Sequence, residues 1–171
     1  MPRGQLYTYF VNDHARLDDL LTSTTPRPGE IDVLPFREFR SGILRHIWQE
    51  ERLLLPAVQN GQGGEPFQHA TRLRLDHGAI AALLVPPPSL QTISAVRHIL
   101  TLHNPLEEGP GGLYERCEAV VKKDVTLLMS EVFAAPAIPT MPFNDDPAIL
   151  PALQRALARA GYDYDAVVSR I

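Results

Sequence analysis

The chain has a single cysteine, Cys117, so no disulfide can form within it, and a reducing compartment is the default expectation. No apolar run approaches the roughly 20 residues of a membrane-spanning helix. The opening residues MPRGQLYTYFVNDH have neither the apolar stretch nor the small-residue cleavage site of a signal peptide, so a cytoplasmic location is expected. Long basic runs are missing and the net charge is −4, which argues against nucleic acid as a partner. Sustained apolar/polar alternation, the mark of a half-buried strand, is also missing. What remains is 171 residues, 44% of them hydrophobic, as in an ordinary globular protein able to bury a substantial core.

Prolines punctuate the chain, at Pro26 and Pro28, at Pro86 to Pro88, and repeatedly from Pro136 to Pro147. Between them the apolar residues recur with helical spacing. A first helix is expected from about Leu6 to Thr22, with the stripe Phe10, His14, Leu17, Leu21. A second runs from about Leu34 to Val58, its stripe Phe36, Phe39, Ile43, Leu53, Leu54, Ala57 completed by His46 and Glu50. A third runs from about Pro66 to Val85 with Leu73, His77, Ile80 and Leu84 on one face, and a fourth starts near Ser89 and carries Val96, Ile99, Leu100, His103, Leu106 and Glu107. Pro105 is a kink candidate, because it has no N–H to donate to Thr101. The run Gly109-Pro110-Gly111-Gly112 interrupts the pattern, and a last helical piece is expected from Leu113 to about Phe133. The fold class is therefore all-α, an up-down four-helix bundle over residues 1–134. Residues 135–171 form a proline-rich linker and a C-terminal helical extension, packed on the bundle or on a partner. In it Asp146 caps a helix that has Pro147 at its first position and stops at Gly161, with a short turn from Asp165 to Arg170 after it.

Each predicted bundle helix carries one histidine on its apolar seam: His14, His46, His77 and His103. Two of them add a glutamate four residues on, Glu50 and Glu107, on the same helix face and about 6 Å along the axis. A buried carboxylate needs compensating charge, and no lysine or arginine lies on these seams. Divalent cations can supply it, and imidazole nitrogen with carboxylate oxygen suits iron, manganese or zinc. Four imidazoles and two bridging carboxylates make four protein ligands for each of two metals. An oxo or hydroxo bridge would make a fifth, which leaves octahedral metals about one open position each. The Glu-x-x-His spacing of ferritin-like di-iron proteins has the opposite order and a shorter step, so that class is disfavoured.

The segments DHARLDDLL (Asp13 to Leu21), HIWQEERLLLP (His46 to Pro56), DHGAI (Asp76 to Ile80) and HNPLEE with the following LY (His103 to Glu108, Leu113, Tyr114) occur in the order found in a known family. The chain resembles the hemerythrin-like HHE cation-binding domains over about Leu6 to Phe133. The resemblance implies a four-helix bundle round a non-haem di-iron centre. Its terminal ligands would be His14, His46, His77 and His103, with Glu50 and Glu107 bridging. Implied activities are dioxygen binding, sensing of oxygen, nitric oxide or iron, and repair of iron–sulfur centres. Two departures stand out. Leu73 occupies the place of the additional third-helix histidine of the oxygen carriers, and the Gly109 to Gly112 run separates Glu107 from LY. A rotation of one residue, about 100°, would exchange Glu107 for Glu108, so both stay open as the bridging group.

The favoured expectation is thus a di-iron protein that binds or senses a small diatomic or peroxide ligand or handles iron. Enzymatic reduction of peroxide or oxygen is the alternative, and a structural or interaction role is the third reading. Zinc and manganese are possible substitutes for iron, and dimerisation through the third or fourth helix is open. His69 and His98 are expected at the surface or in packing, Tyr7 and Tyr9 in packing, Glu51 and Glu108 at solvent or behind the ligands, and Asp13 and Asp76 at solvent or a neighbouring helix.

Overall fold

The computed structural model describes residues 4–169, which are helix and loop throughout, with no strand among them. No described helix is long and apolar enough to cross a membrane.

Helix α1 covers Gln5–Ser23 and starts on Gly4, which has no capping side chain. Its exposed N–H groups are instead met by Glu118, from the α6 segment Leu113–Val121, which accepts from Gly4 at 2.9 Å and Tyr7 at 3.0 Å. A carboxylate there also suits the positive end of the helix dipole. Helix α2, Val33–Gln49, is capped by Asp32, whose side chain accepts from the Leu34 N–H. A π-helical turn, Glu50–Leu54, follows without a break and leads into α3, Leu55–Gly61. Leu55 donates its N–H back to the Glu50 carbonyl, the wider i to i+5 bond of a π turn.

This turn changes the expected register. In a regular α-helix each four-residue step drifts by about 40°. The wider turn takes up the drift, so His46, Glu50, Leu54 and Val58 all lie buried at four-residue steps. Leu53 and Ala57, expected on the seam, are only partly buried. Helix α4 begins at Ala70 rather than Pro66, because Pro66 and Phe67 stay outside the helix and Ala70 closes a turn on the Phe67 carbonyl. Helix α5, Leu90–Glu108, is capped by Ser89 and continues through Pro105.

The glycine run makes the turn after Glu108. Gly111 has φ +72°, and a Cβ on Gly112 would lie 2.5 Å from the Glu107 carbonyl oxygen. The chain can therefore double back directly behind Glu107 only with glycine there. Helix α6 follows, but the single helix expected to Phe133 breaks at Lys122, which has φ +40°. A short 3₁₀ turn, Lys122–Asp124, and α7, Val125–Ala134, come next. Neither glycine nor proline marks this break in the sequence.

The segment from Ala135 to Asp146 has no regular structure. It is held by Arg40, which donates to the Met141 carbonyl at 2.6 Å, and by the Asn144 N–H, which bonds Val85. Asp146 caps the next turn, Pro147–Ile149, as expected. Helix α8, Leu150–Arg159, packs on α4, Gly161 turns the chain at φ +78°, and α9, Tyr164–Val168, packs on α5. Arg170, the expected end of the last turn, lies outside the described residues. The tail thus covers part of the α4 and α5 surface on which dimerisation was left open.

Two buried apolar clusters organise these helices. One holds Leu17 and Leu21 of α1, Phe36 to Ile43 of α2, Ala79 to Leu83 of α4, Ile93 to Ile99 of α5, and the tail residues Leu153, Leu157 and Val167. The other holds Leu6 to Phe10, Leu54 to Val58, Phe67 to Leu73, Leu113 to Cys117 and Leu128 to Val132. Along α1, the α2–α3 rod, α4 and α5 the chain passes from one cluster to the other, in alternating direction. At each crossing stands a histidine.

Candidate metal centre

The four seam histidines and the two glutamates meet in the layer between the clusters. His14 is 8% exposed, the other three histidines are 2–3% exposed, and Glu50 and Glu107 are fully buried. Their donor atoms form two groups, His14, His46, Glu50, Glu107 and Glu50, His77, His103, Glu107, and within each group all lie within 4.8 Å of one another. Both carboxylates belong to both groups. Glu50 turns Oε1 to His46 Nε2 at 3.2 Å and Oε2 to His77 Nε2 at 3.3 Å. Glu107 turns Oε2 to His14 Nε2 at 3.4 Å and Oε1 to His103 Nε2 at 2.9 Å. Of the two glutamates left open, Glu107 is the one inside. Glu108 keeps a side chain 32% exposed.

The outer edge of each imidazole is backed by a further carboxylate. His46 Nδ1 lies 2.8 Å from Asp13, His77 Nδ1 2.9 Å from Glu51, His103 Nδ1 3.4 Å from Asp76, and His14 Nδ1 3.7 Å from Glu108. The last is a charge contact rather than a hydrogen bond. These contacts run in a ring: α1 backs the histidine of α2, the π turn backs that of α4, α4 backs that of α5, and α5 backs that of α1. Every outer carboxylate is the sequence neighbour of an inner ligand. A step of one residue is about 100° of helix, which aims it at the adjoining helix instead of the centre. Such partners hold Nδ1 protonated and Nε2 free to donate its lone pair inward. Asp13 and Asp76 thus face a neighbouring helix, and Asp76 is wholly buried.

Tyr114 is the site residue that sequence reading did not single out beyond its place in LY. The Gly109–Gly112 turn brings it back over the centre, fully buried. Its hydroxyl oxygen lies 2.6 Å from Glu50 Oε1, 3.1 Å from His14 Nε2, 3.3 Å from His46 Nε2 and 3.4 Å from Glu107 Oε2. Leu73, one turn before His77, is fully buried in the apolar cluster. His69 packs edge-on to Phe67 and His98 to Tyr162, away from the centre. Tyr7 donates to the Glu108 carbonyl, and the Tyr9 hydroxyl accepts from Arg45 and Gln49. Burial, with Glu118 next to it, pushes the Cys117 thiol up to about 12, so it is inert.

Charge in this layer is tightly constrained. Among the described residues every ion pair of Glu50 and Glu107 is with a histidine. Burial disfavours the charged form of His14, but Glu107 and Glu108 outweigh it and raise its pKa to about 10. For His103 burial is likewise overcome, by Glu107 and Asp76, to about 9. His46 and His77 are raised against burial by Glu50 with Asp13, and by Glu107, Glu50 and Glu51. Burial pushes Glu107 up, yet His103, His14 and His77 hold it well below the usual carboxylate range. Burial and the neighbouring Glu107 push Glu50 up, and His46 and His77 bring it down.

The paired carboxylates therefore draw positive charge into the layer, and protons on the imidazoles meet that demand without metal. The proton solution is incomplete. Glu50 Oε2, Glu107 Oε1 and His77 Nε2 are buried and, although imidazole and carboxylate atoms approach there to 2.9–3.3 Å, make no well-aligned hydrogen bond. A divalent cation at each group would satisfy them, so the donor set fits one. A cavity of about 270 Å³ reaches the edge of the layer beside His14, bordered by Ile43, Asn104 and Glu108. It falls just below the range of pockets that hold drug-sized ligands, about 300–1,000 Å³.

Comparisons with protein-family models, curated proteins and solved structures found no match to this chain.

Proposed function

We propose that this chain is a hemerythrin-like protein in which α1, the α2–α3 rod, α4 and α5 make an up-down four-helix bundle round a di-iron centre. In this reading it binds or senses a small ligand such as dioxygen, nitric oxide or peroxide, or handles iron. The observation that carries the reading is the pair of four-donor groups that share Glu50 and Glu107 in a buried layer, with orphaned donors and, among the described residues, no lysine or arginine partner. The alternating passage of the four helices between the two apolar clusters supports the bundle topology.

His14 and His46 would hold one metal and His77 and His103 the other, with Glu50 and Glu107 between them. Bound iron would supply exchangeable coordination and one-electron chemistry. The protein's own part is to orient the imidazoles through the outer carboxylates, exclude bulk water with the two clusters, and admit only a small ligand. The cavity beside His14, about 270 Å³, suits a small ligand better than turnover of a large substrate.

The test is anaerobic reconstitution with Fe(II) of protein first stripped with chelator. About two irons per chain are expected, with oxo-bridged charge-transfer bands appearing in air. Glu107→Ala should abolish this stoichiometry while Glu108→Ala retains it. No tight iron binding, or a single metal indifferent to Glu107→Ala, sinks the reading.

A further inference from the structure

We propose that the phenol oxygen of Tyr114 is a fifth protein ligand to the metal held by His14 and His46, so that the two metals are unequal. The inference rests on the di-iron reading above and goes beyond its six ligands.

Its support is geometric. For bonds of about 2.1 Å, donors at right angles on one metal stand about 3 Å apart. The Tyr114 oxygen keeps 2.6, 3.1, 3.3 and 3.4 Å to Glu50 Oε1, His14 Nε2, His46 Nε2 and Glu107 Oε2. It therefore stands beside all four donors of one group at once, as the apex of a square pyramid does above its base. Two neighbouring pairs in that base, His46–Glu50 at 3.2 Å and His14–Glu107 at 3.4 Å, have the same spacing. A hydrogen-bonding tyrosine needs one or two acceptors, and two of these four neighbours are the Nε2 atoms that would donate to metal.

Among the described residues no such atom stands beside the other group. There the side chain one turn before His77 is Leu73, which is apolar and fully buried. Tyr114 also sits on rigid support. Its ring stacks on Phe10 at 5.0 Å and meets Tyr7 edge-on at 6.1 Å, and the glycine turn fixes α6 directly behind Glu107. When metal binds, the Tyr114 O–H bond breaks and an oxygen–metal bond forms. The proton leaves to solvent with those displaced from the imidazoles. The metal of His77 and His103 then has one protein donor fewer, so the two halves of the centre differ.

The experiment loads stripped protein with Fe(II), oxidises it in air, and records resonance Raman spectra. Protein with natural tyrosine is compared with protein containing ring-deuterated tyrosine, and with Tyr114→Phe. Tyrosinate ring modes enhanced in the visible band, shifted by deuteration and lost in Tyr114→Phe with iron stoichiometry kept, are the expected result. Full iron loading without tyrosinate modes in the natural protein overturns the inference and leaves the di-iron reading intact. Modes that survive Tyr114→Phe overturn it too. Should that variant fail to fold, the deuteration comparison decides alone. Failure to take up iron at all would instead remove the functional reading on which the inference stands.

Discussion

Each histidine of the centre is used on both edges, its Nε2 inward and its Nδ1 outward on a carboxylate from the preceding helix of the ring. Removing one outer partner should therefore weaken metal without disturbing the fold. Asp13→Asn leaves His46 Nδ1, now 2.8 Å from a carboxylate, facing a neutral group. We expect metal affinity to drop about 10–100-fold by chelator competition. Helix content should be unchanged, and the exposed Asp19→Asn should be silent. The histidines also set the pH response. In metal-free protein the folded pKa values of His14, about 10, and His103, about 9, stand above the ordinary 6.5. Their stabilising contribution is thus complete below about pH 6.5 and is lost as pH rises through 9 to 10. Thermal unfolding in chelator should show the midpoint falling across that window. Metal-loaded protein should show the opposite slope on the acid side, because protons compete with metal for Nε2, and loading should release protons measurable in weak buffer.

Two irregular elements place the candidate ligands. The π turn at Glu50–Leu54 aims Glu50 at the centre and Glu51 at His77 while returning Leu54 and Val58 to the core. Deleting the exposed Arg52 would let this stretch relax to a regular α-helix. Circular dichroism should then report an intact helical fold, and titration should report much weaker metal binding. The glycine turn is the second device. Gly112→Ala sets a methyl 2.5 Å from the Glu107 carbonyl, so the turn must move, carrying Glu107 and Tyr114 with it. A loss of about 1–3 kcal/mol in denaturant unfolding is expected, with weakened metal binding.

At the scale of the molecule, the C-terminal extension is tied to the centre through Asp76. Arg72 donates to both Asp76 oxygens at 2.6 and 3.0 Å, and the Tyr162 hydroxyl donates to Asp76 Oδ1 at 2.9 Å. Arg72 also bonds the Ala160 carbonyl and lies 5.0 Å over the Tyr162 ring. Asp76 in turn faces His103 at 3.4 Å. Tyr162→Phe should cost about 1–3 kcal/mol, since it leaves a buried carboxylate short of a donor. It should also weaken metal binding at the His77–His103 half. Tyr164→Phe, two residues further along the same tail, should do neither. A fall in melting temperature with unchanged metal affinity would show that the tail is only a structural brace.

The all-helical class, the seam histidines and Glu50 were legible in the sequence because helical periodicity and burial penalties act locally: a histidine or carboxylate on an apolar stripe can hide only if something compensates it. Asp146 as a cap and Gly161 as a stop follow from the same local backbone chemistry. The π turn was not legible, because the right-handed backbone tolerates it at small local cost; the Lys122 break was not, because a non-glycine residue is forced to φ +40° there by tertiary packing and no local residue type marks it. The choice of Glu107 over Glu108, the partners of Asp13, Glu51 and Asp76, and the position of Tyr114 depend on how far each helix is rotated against its neighbours. That rotation is decided by the packing of the two apolar clusters above and below the polar layer, and no window along the chain contains it.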